Sequence, residues 1–107
     1  YPRYSATGVL RSKELEAVLE EVRIAFKNNP NLSVEVIGHT DNVGNAEDNY
    51  QLALNLAQQV RWYLVAKGPF SKHRIKASSK GESEAIASNQ TERGRALNQR
   101  MEIKFTE

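Results

Sequence analysis

The residues of this chain that can do chemistry concentrate in one short stretch, Gly38-His39-Thr40-Asp41-Asn42-Val43-Gly44. Thr40 offers a hydroxyl, Asp41 a carboxylate and Asn42 an amide in successive positions. Such a set suits a ligand that carries an amine and several hydrogen-bond donors, because all three side chains can accept. Asn49 follows close behind and is a further candidate for the same site. A plainer reading stands beside this one. Asp and Asn often bond their own backbone, so Asp41 can simply cap a turn or the next helix. Asn49 reads equally well as a helix-start residue.

Catalysis finds little support in the remaining residues. The chain has no cysteine, which excludes disulfides, thiolate catalysis and cysteine-ligated metal. His39 and His73 are isolated, with no second ligand at metal spacing and no nucleophilic motif around either. The glycines show no phosphate-loop spacing. Glu82, Glu84 and Glu92 fall in polar loop or helix-start contexts, and the helix dipole accounts for Glu92. The expectation is a binding module with no metal and no cofactor.

The elements that must hold the Thr40–Asn42 stretch are legible from hydrophobic periodicity. Leu32-Ser33-Val34-Glu35-Val36-Ile37 alternates and reads as a strand from about Ser33 to Gly38 that delivers the site directly. Residues 1–6 are aromatic-rich and are expected to form a first strand. Leu15, Val18, Leu19, Val22 and Phe26 recur at helical spacing after Ser12, a plausible N-cap, and Asn28-Asn29-Pro30-Asn31 ends that helix. A second helix is expected from Ala46–Asn49 to Ala66 or Lys67, with Ala53, Ala57, Val60 and Leu64 inward and Trp62 roughly opposite. Gly68-Pro69 stops it.

Ile75, Ala77 and Ser79 suggest a third strand, with residues 78–83 as a polar loop. A short helix over Thr91 to Asn98 and a final strand over Gln99 to Phe105 complete the chain. The expected fold is α+β: a two-layer sandwich in β-α-β-α-β-α-β order, with a mixed four-stranded sheet and helices on one face.

The bulk properties agree with one domain over residues 1–107 and one modest core. The hydrophobic fraction is 39%, and no apolar run approaches the roughly 18 residues of a membrane span. A formal charge of +2, spread among interspersed acids and bases, gives no argument for nucleic acid. Tyr1 opens the chain abruptly, as in a trimmed domain, so any outer-membrane attachment is expected through a segment not in this chain.

Several blocks in order carry a resemblance. They are Gly38-His39-Thr40-Asp41-Asn42-x-Gly44, then Asn49-x-x-Leu52, then Val60-x-x-Tyr63-Leu64, then Gly81-Glu82, then Asn89-x-Thr91-x-x-Gly94-Arg95-x-x-Asn98-x-Arg100-Met101-Glu102. Together they resemble the OmpA-like, or OmpA/MotB C-terminal, peptidoglycan-binding domain. The resemblance implies a periplasmic domain that binds the peptide stem of peptidoglycan, where diaminopimelate presents both an ammonium and a carboxylate. It implies that Asp41 takes the ammonium in a charge-assisted hydrogen bond. Thr40, Asn42 and Asn49 would help to hold the ligand or the loop.

The chain departs from that pattern where the ligand's carboxylate would be clamped. Leu56 stands where the family carries an arginine, and leucine cannot replace a bidentate fork. Gln99 stands where the closing signature carries another, and Tyr4 where the first strand often carries an aspartate. Arg100, Arg61 or Arg95 would have to supply the missing cation, or binding would be weak. Arg95 and Arg100 also read as structural.

Two functions follow from the resemblance. One is association of an outer-membrane protein or envelope assembly with peptidoglycan, through a weakened diaminopimelate clamp. The alternative is a protein–protein scaffold module of an envelope-spanning complex such as a secretion-system core, with Leu56 and Trp62 as partner surface.

Overall fold

The computed structural model describes residues 3–5, 12–68, 70–84, 88–93 and 98–107. Strand β1 is Arg3–Ser5, helix α1 Ser12–Asn28, β2 Ser33–His39, α2 Ala46–Lys67, β3 Ile75–Gly81 and β4 Arg100–Thr106, with a 3-10 turn at Lys72–Arg74. The fold is α+β with a mixed sheet in the order β1-β4-β2-β3. β2 and β3 run parallel and are joined through α2, whereas β4 is antiparallel to both β1 and β2.

Alternation along the strands divides the sheet into two faces. Val34, Val36, Ile75, Met101 and Ile103 point into the core, where they meet Val18, Val22 and Phe26 of α1 and Leu56, Ala57, Val60 and Leu64 of α2. The expected helical stripes are therefore the buried ones. Leu15 and Leu19 are partly buried against the same cluster, and Trp62 is 61% exposed as its helical phase requires.

Helix α2 is fixed at both ends. Asn45 caps it, its side-chain oxygen accepting from the backbone N–H groups of Glu47 and Asp48. At the other end the Gly68 N–H donates to the Leu64 carbonyl at 3.0 Å. Gly68 has ordinary negative φ; a Cβ there would lie 2.2 Å from the Phe70 ring, so any larger residue would require that ring to shift.

Two expectations change. β3 runs on to Gly81, although residues 78–81 read as loop. Tertiary pairing overrides that polar composition: Ser78 and Ser79 pair with Ile37 and Gly38, and the Ser79 hydroxyl donates to the Tyr50 carbonyl at 2.9 Å. α1 includes Ser12 in the helix itself. The third helix falls partly outside the described residues: Glu92, Arg93 and Asn98 are helical, while 94–97 are not described.

Candidate functional site

The site is the exit of β2. Val36 and Gly38 face the helices, and Gly38 lets α2 approach closely, since a Cβ there would sit 2.2 Å from the Ala53 carbonyl oxygen. The Thr40 N–H continues the pairing past the strand by donating to the Gly81 carbonyl at 2.8 Å. Thr40 and Asp41 are thus held at 6% exposure, while Asn42, Val43 and Gly44 emerge into solvent. Gly44 takes a φ of +92°, a left-handed conformation that lets the chain turn back into Asn45 and α2.

The Asp41 carboxylate is engaged at both oxygens. Oδ1 accepts from the Val43 N–H at 3.0 Å, closing the turn, and Oδ2 accepts from Gln99 Nε2 at 2.6 Å. The second bond ties the loop after β2 to the residue just before β4. Both donors are neutral, and among the described residues no cation pairs with Asp41. Asp41 therefore does what the plain reading asked, ordering its own turn, and still presents a carboxylate that no described cation neutralises.

The neighbours are placed as follows. The Thr40 hydroxyl donates to the Asp41 carbonyl at 2.9 Å, a bond within the loop. Asn49, on the first turns of α2, spends its amide on the Asp41 and Val43 carbonyls at 3.4 and 3.0 Å, so it holds the loop. The Asn42 side chain is exposed.

The candidate replacement cations lie elsewhere. Arg61 donates to the carbonyls of Ile75 and Lys72 at 2.7 and 2.9 Å, and its guanidinium sits 5.5 Å from the Trp62 ring centroid. Arg100 turns to the sheet face opposite the helices. It donates to Glu102 Oε1 through Nε and Nη2, at 3.2 and 2.9 Å, and to the carbonyls of Asn98 and Glu84. Arg100 is expected as a candidate cation for the ligand's carboxylate; here each of those donors is committed to the chain itself. Arg95 lies outside the described residues. Leu56 also changes role. At 8% exposure it belongs to the core, so it is not open partner surface.

Beside Arg100 lies His39, 2% exposed, opposite it in the β2–β4 register. Its Nε2 is 3.1 Å from Glu102 Oε1, yet without the alignment of a hydrogen bond, so neither ring nitrogen has a hydrogen-bond partner among the described residues. Burial lowers the His39 pKa below its ordinary 6.5, and the Arg100 charge lowers it further against the pull of Glu102. Among the described residues no group of side chains has the makings of a metal site.

Two residues escaped sequence reasoning. Gln99 registered only as a lost arginine, whereas it is the partner of Asp41 across 58 residues. Asn45 went unremarked, although an Asn followed by Glu47 and Asp48 in the first turn is a recognisable helix start.

Comparison with known proteins identifies the family. The model of the OmpA family matches residues 7–99, and the chain belongs to that family. Peptidoglycan-binding protein ArfA of Mycobacterium tuberculosis is 40% identical over 86 residues, 80% of this chain and 26% of ArfA. The C-terminal domain of Helicobacter pylori MotB superposes with a TM-score of 0.86 at 25% identity, covering 100% of this chain and 85% of that one. The cell wall anchor of the type VI secretion system from Pseudomonas aeruginosa superposes with a TM-score of 0.71 at 29% identity, covering 96% and 72%. The chain spans well under half the length of the curated relatives it matches. Among the described residues no helix is long and apolar enough to cross a membrane.

Proposed function

We propose that this domain is a non-catalytic wall-binding module that associates an envelope protein with peptidoglycan from the periplasmic side. Its ligand is the peptide stem, at the diaminopimelate position, with Asp41 receiving the ammonium. The observation that carries this reading is the state of Asp41: a buried carboxylate, oriented by Val43 and Gln99, with no described cation beside it. An ion pair with a ligand ammonium would meet that charge. ArfA, a relative named for peptidoglycan binding, and the secretion-system wall anchor support the same class.

The carboxylate half of the clamp is weakened in this reading. Position 56 is a core leucine, and Arg61 and Arg100 are engaged elsewhere. The scaffold alternative draws on a different observation, the 61% exposed Trp62 with the Arg61 guanidinium against it.

Co-sedimentation with purified peptidoglycan separates the two. Asp41→Ala is expected to weaken wall binding by about 30-fold or more, the equivalent of losing a charge partner worth roughly 2–5 kcal/mol. Equal sedimentation of the folded variant and the wild type would remove Asp41 from the binding role. If the wild type stays in the supernatant, the scaffold reading takes its place.

A further inference from the structure

We propose that the Asp41 site selects a primary alkylammonium whose far end carries no free carboxylate, and that Gln99 sets this preference. The inference rests on the wall-binding reading and names its ligand class: a stem residue of lysine type, or a diaminopimelate-type residue whose far carboxyl is amidated.

The argument starts from acceptor capacity. A carboxylate has about four lone-pair positions, and the two hydrogen bonds from Val43 and Gln99 leave room for an ammonium on the same oxygens. An ammonium brings three donors and no acceptor. Gln99 can answer it in a way that arginine cannot. Arginine has donors only, whereas rotation of the glutamine amide exchanges its NH₂ for a carbonyl oxygen. Gln99 is partly exposed, and its described side-chain bond is the one to Asp41. In the free site its Nε2 holds Asp41 Oδ2; with ligand bound its Oε1 turns to accept from the ammonium, beside the carboxylate it released.

The same surroundings disfavour a zwitterion. A carboxylate adjacent to that ammonium would lie close to the negative Asp41 and to a neutral amide. Among the described residues, Arg100 is spent on Glu102, Asn98 and Glu84, and Arg61 on the carbonyls of Ile75 and Lys72. Leu56 is packed into the core with Ala57 and Val60. A desolvated carboxylate without a cation is penalised far more heavily than a neutral amide in its place, and a bare methylene is not penalised at all. Preference for the uncharged end is then a difference between two ligands, produced as much by rejection of one as by attraction of the other.

The test is calorimetric titration of the whole chain with three synthetic stem tripeptides that differ only in the third residue. One carries lysine, one diaminopimelate with its far carboxyl free, and one diaminopimelate with that carboxyl amidated. The lysine and amidated peptides are expected to bind about tenfold more tightly than the free acid. Their order relative to each other tells which source of the ammonium the site prefers. Gln99→Arg is expected to close or invert the gap, by about tenfold in favour of the free acid. Parity or preference for the free acid in the wild type overturns the proposal while leaving wall binding intact. An unchanged ligand order in folded Gln99→Arg overturns the role of Gln99. Binding of none of the three removes the wall-binding reading and this inference with it.

Discussion

At the residue scale, the site is a study in which groups are free to change partner. Asp41 is held by the Val43 backbone N–H on one oxygen and by the Gln99 amide on the other. His39, one residue upstream of Thr40, is the opposite: a ring with no hydrogen-bond partner among the described residues, enclosed on the far sheet face. The charged groups acting on it are Arg100 and Glu102 from β4, Lys80 from β3 and Glu84 just beyond. Burial and Arg100 keep it neutral, so its folded pKa lies below the ordinary value of 6.5. As pH falls, the unfolded chain takes up this proton first, and stability that is in place above about 6.5 is lost below it. The urea midpoint is therefore expected to drop between about pH 7.5 and 5.5, and His39→Gln should flatten that drop. A variant that loses stability over the same interval as steeply as the wild type would assign the effect to other groups. Gln99 and His39 were the least legible residues in the sequence. Their meaning depends on contacts between residues far apart in the chain, Gln99 with Asp41 and His39 with Glu102, and no local spacing encodes those contacts.

At the element scale, the site depends on how tightly α2 lies on β2. The two helical stripes and the Val34–Val36 alternation were legible because the periods of 3.6 and 2 differ so clearly. The same periodicity places Leu56, three residues after Ala53, on the buried side. The expectation of an open Leu56 came from comparing motifs and neglected that phase. The end of β3 was not legible, because Ser78-Ser79-Lys80-Gly81 has the composition of a loop and becomes a strand only through its partner β2. At Gly38 α2 lies close against β2, and an added methyl would fall 2.2 Å from the Ala53 oxygen and 2.7 Å from its carbonyl carbon. Both are backbone atoms, so relief requires α2 to move. Gly38→Ala is expected to cost about 1–3 kcal/mol or somewhat more, read as a fall in Tm of roughly 4 °C or greater. The same shift would carry Asn49 away from the carbonyls of Asp41 and Val43, so ligand binding should weaken in step with stability. A variant with unchanged Tm would mean the approach of α2 to β2 is looser than these distances describe.

At the scale of the whole molecule, two kinds of attraction to a cell wall have to be told apart. A formal charge of +2 allows the domain at most a weak, diffuse attraction to an anionic wall polymer. That attraction acts between exposed charges and is screened once the Debye length falls to a few ångströms. Binding through Asp41 differs in kind, because the carboxylate is 6% exposed and its ion pair would form at contact, where salt screens much less. Co-sedimentation with purified peptidoglycan at about 0.05 M and about 0.5 M salt should therefore resolve two components. The wild type is expected to retain most of its binding at high salt, and Asp41→Ala to lose what little it has. If salt releases both proteins alike, the association is a surface-charge effect and the Asp41 site takes no part in holding the wall.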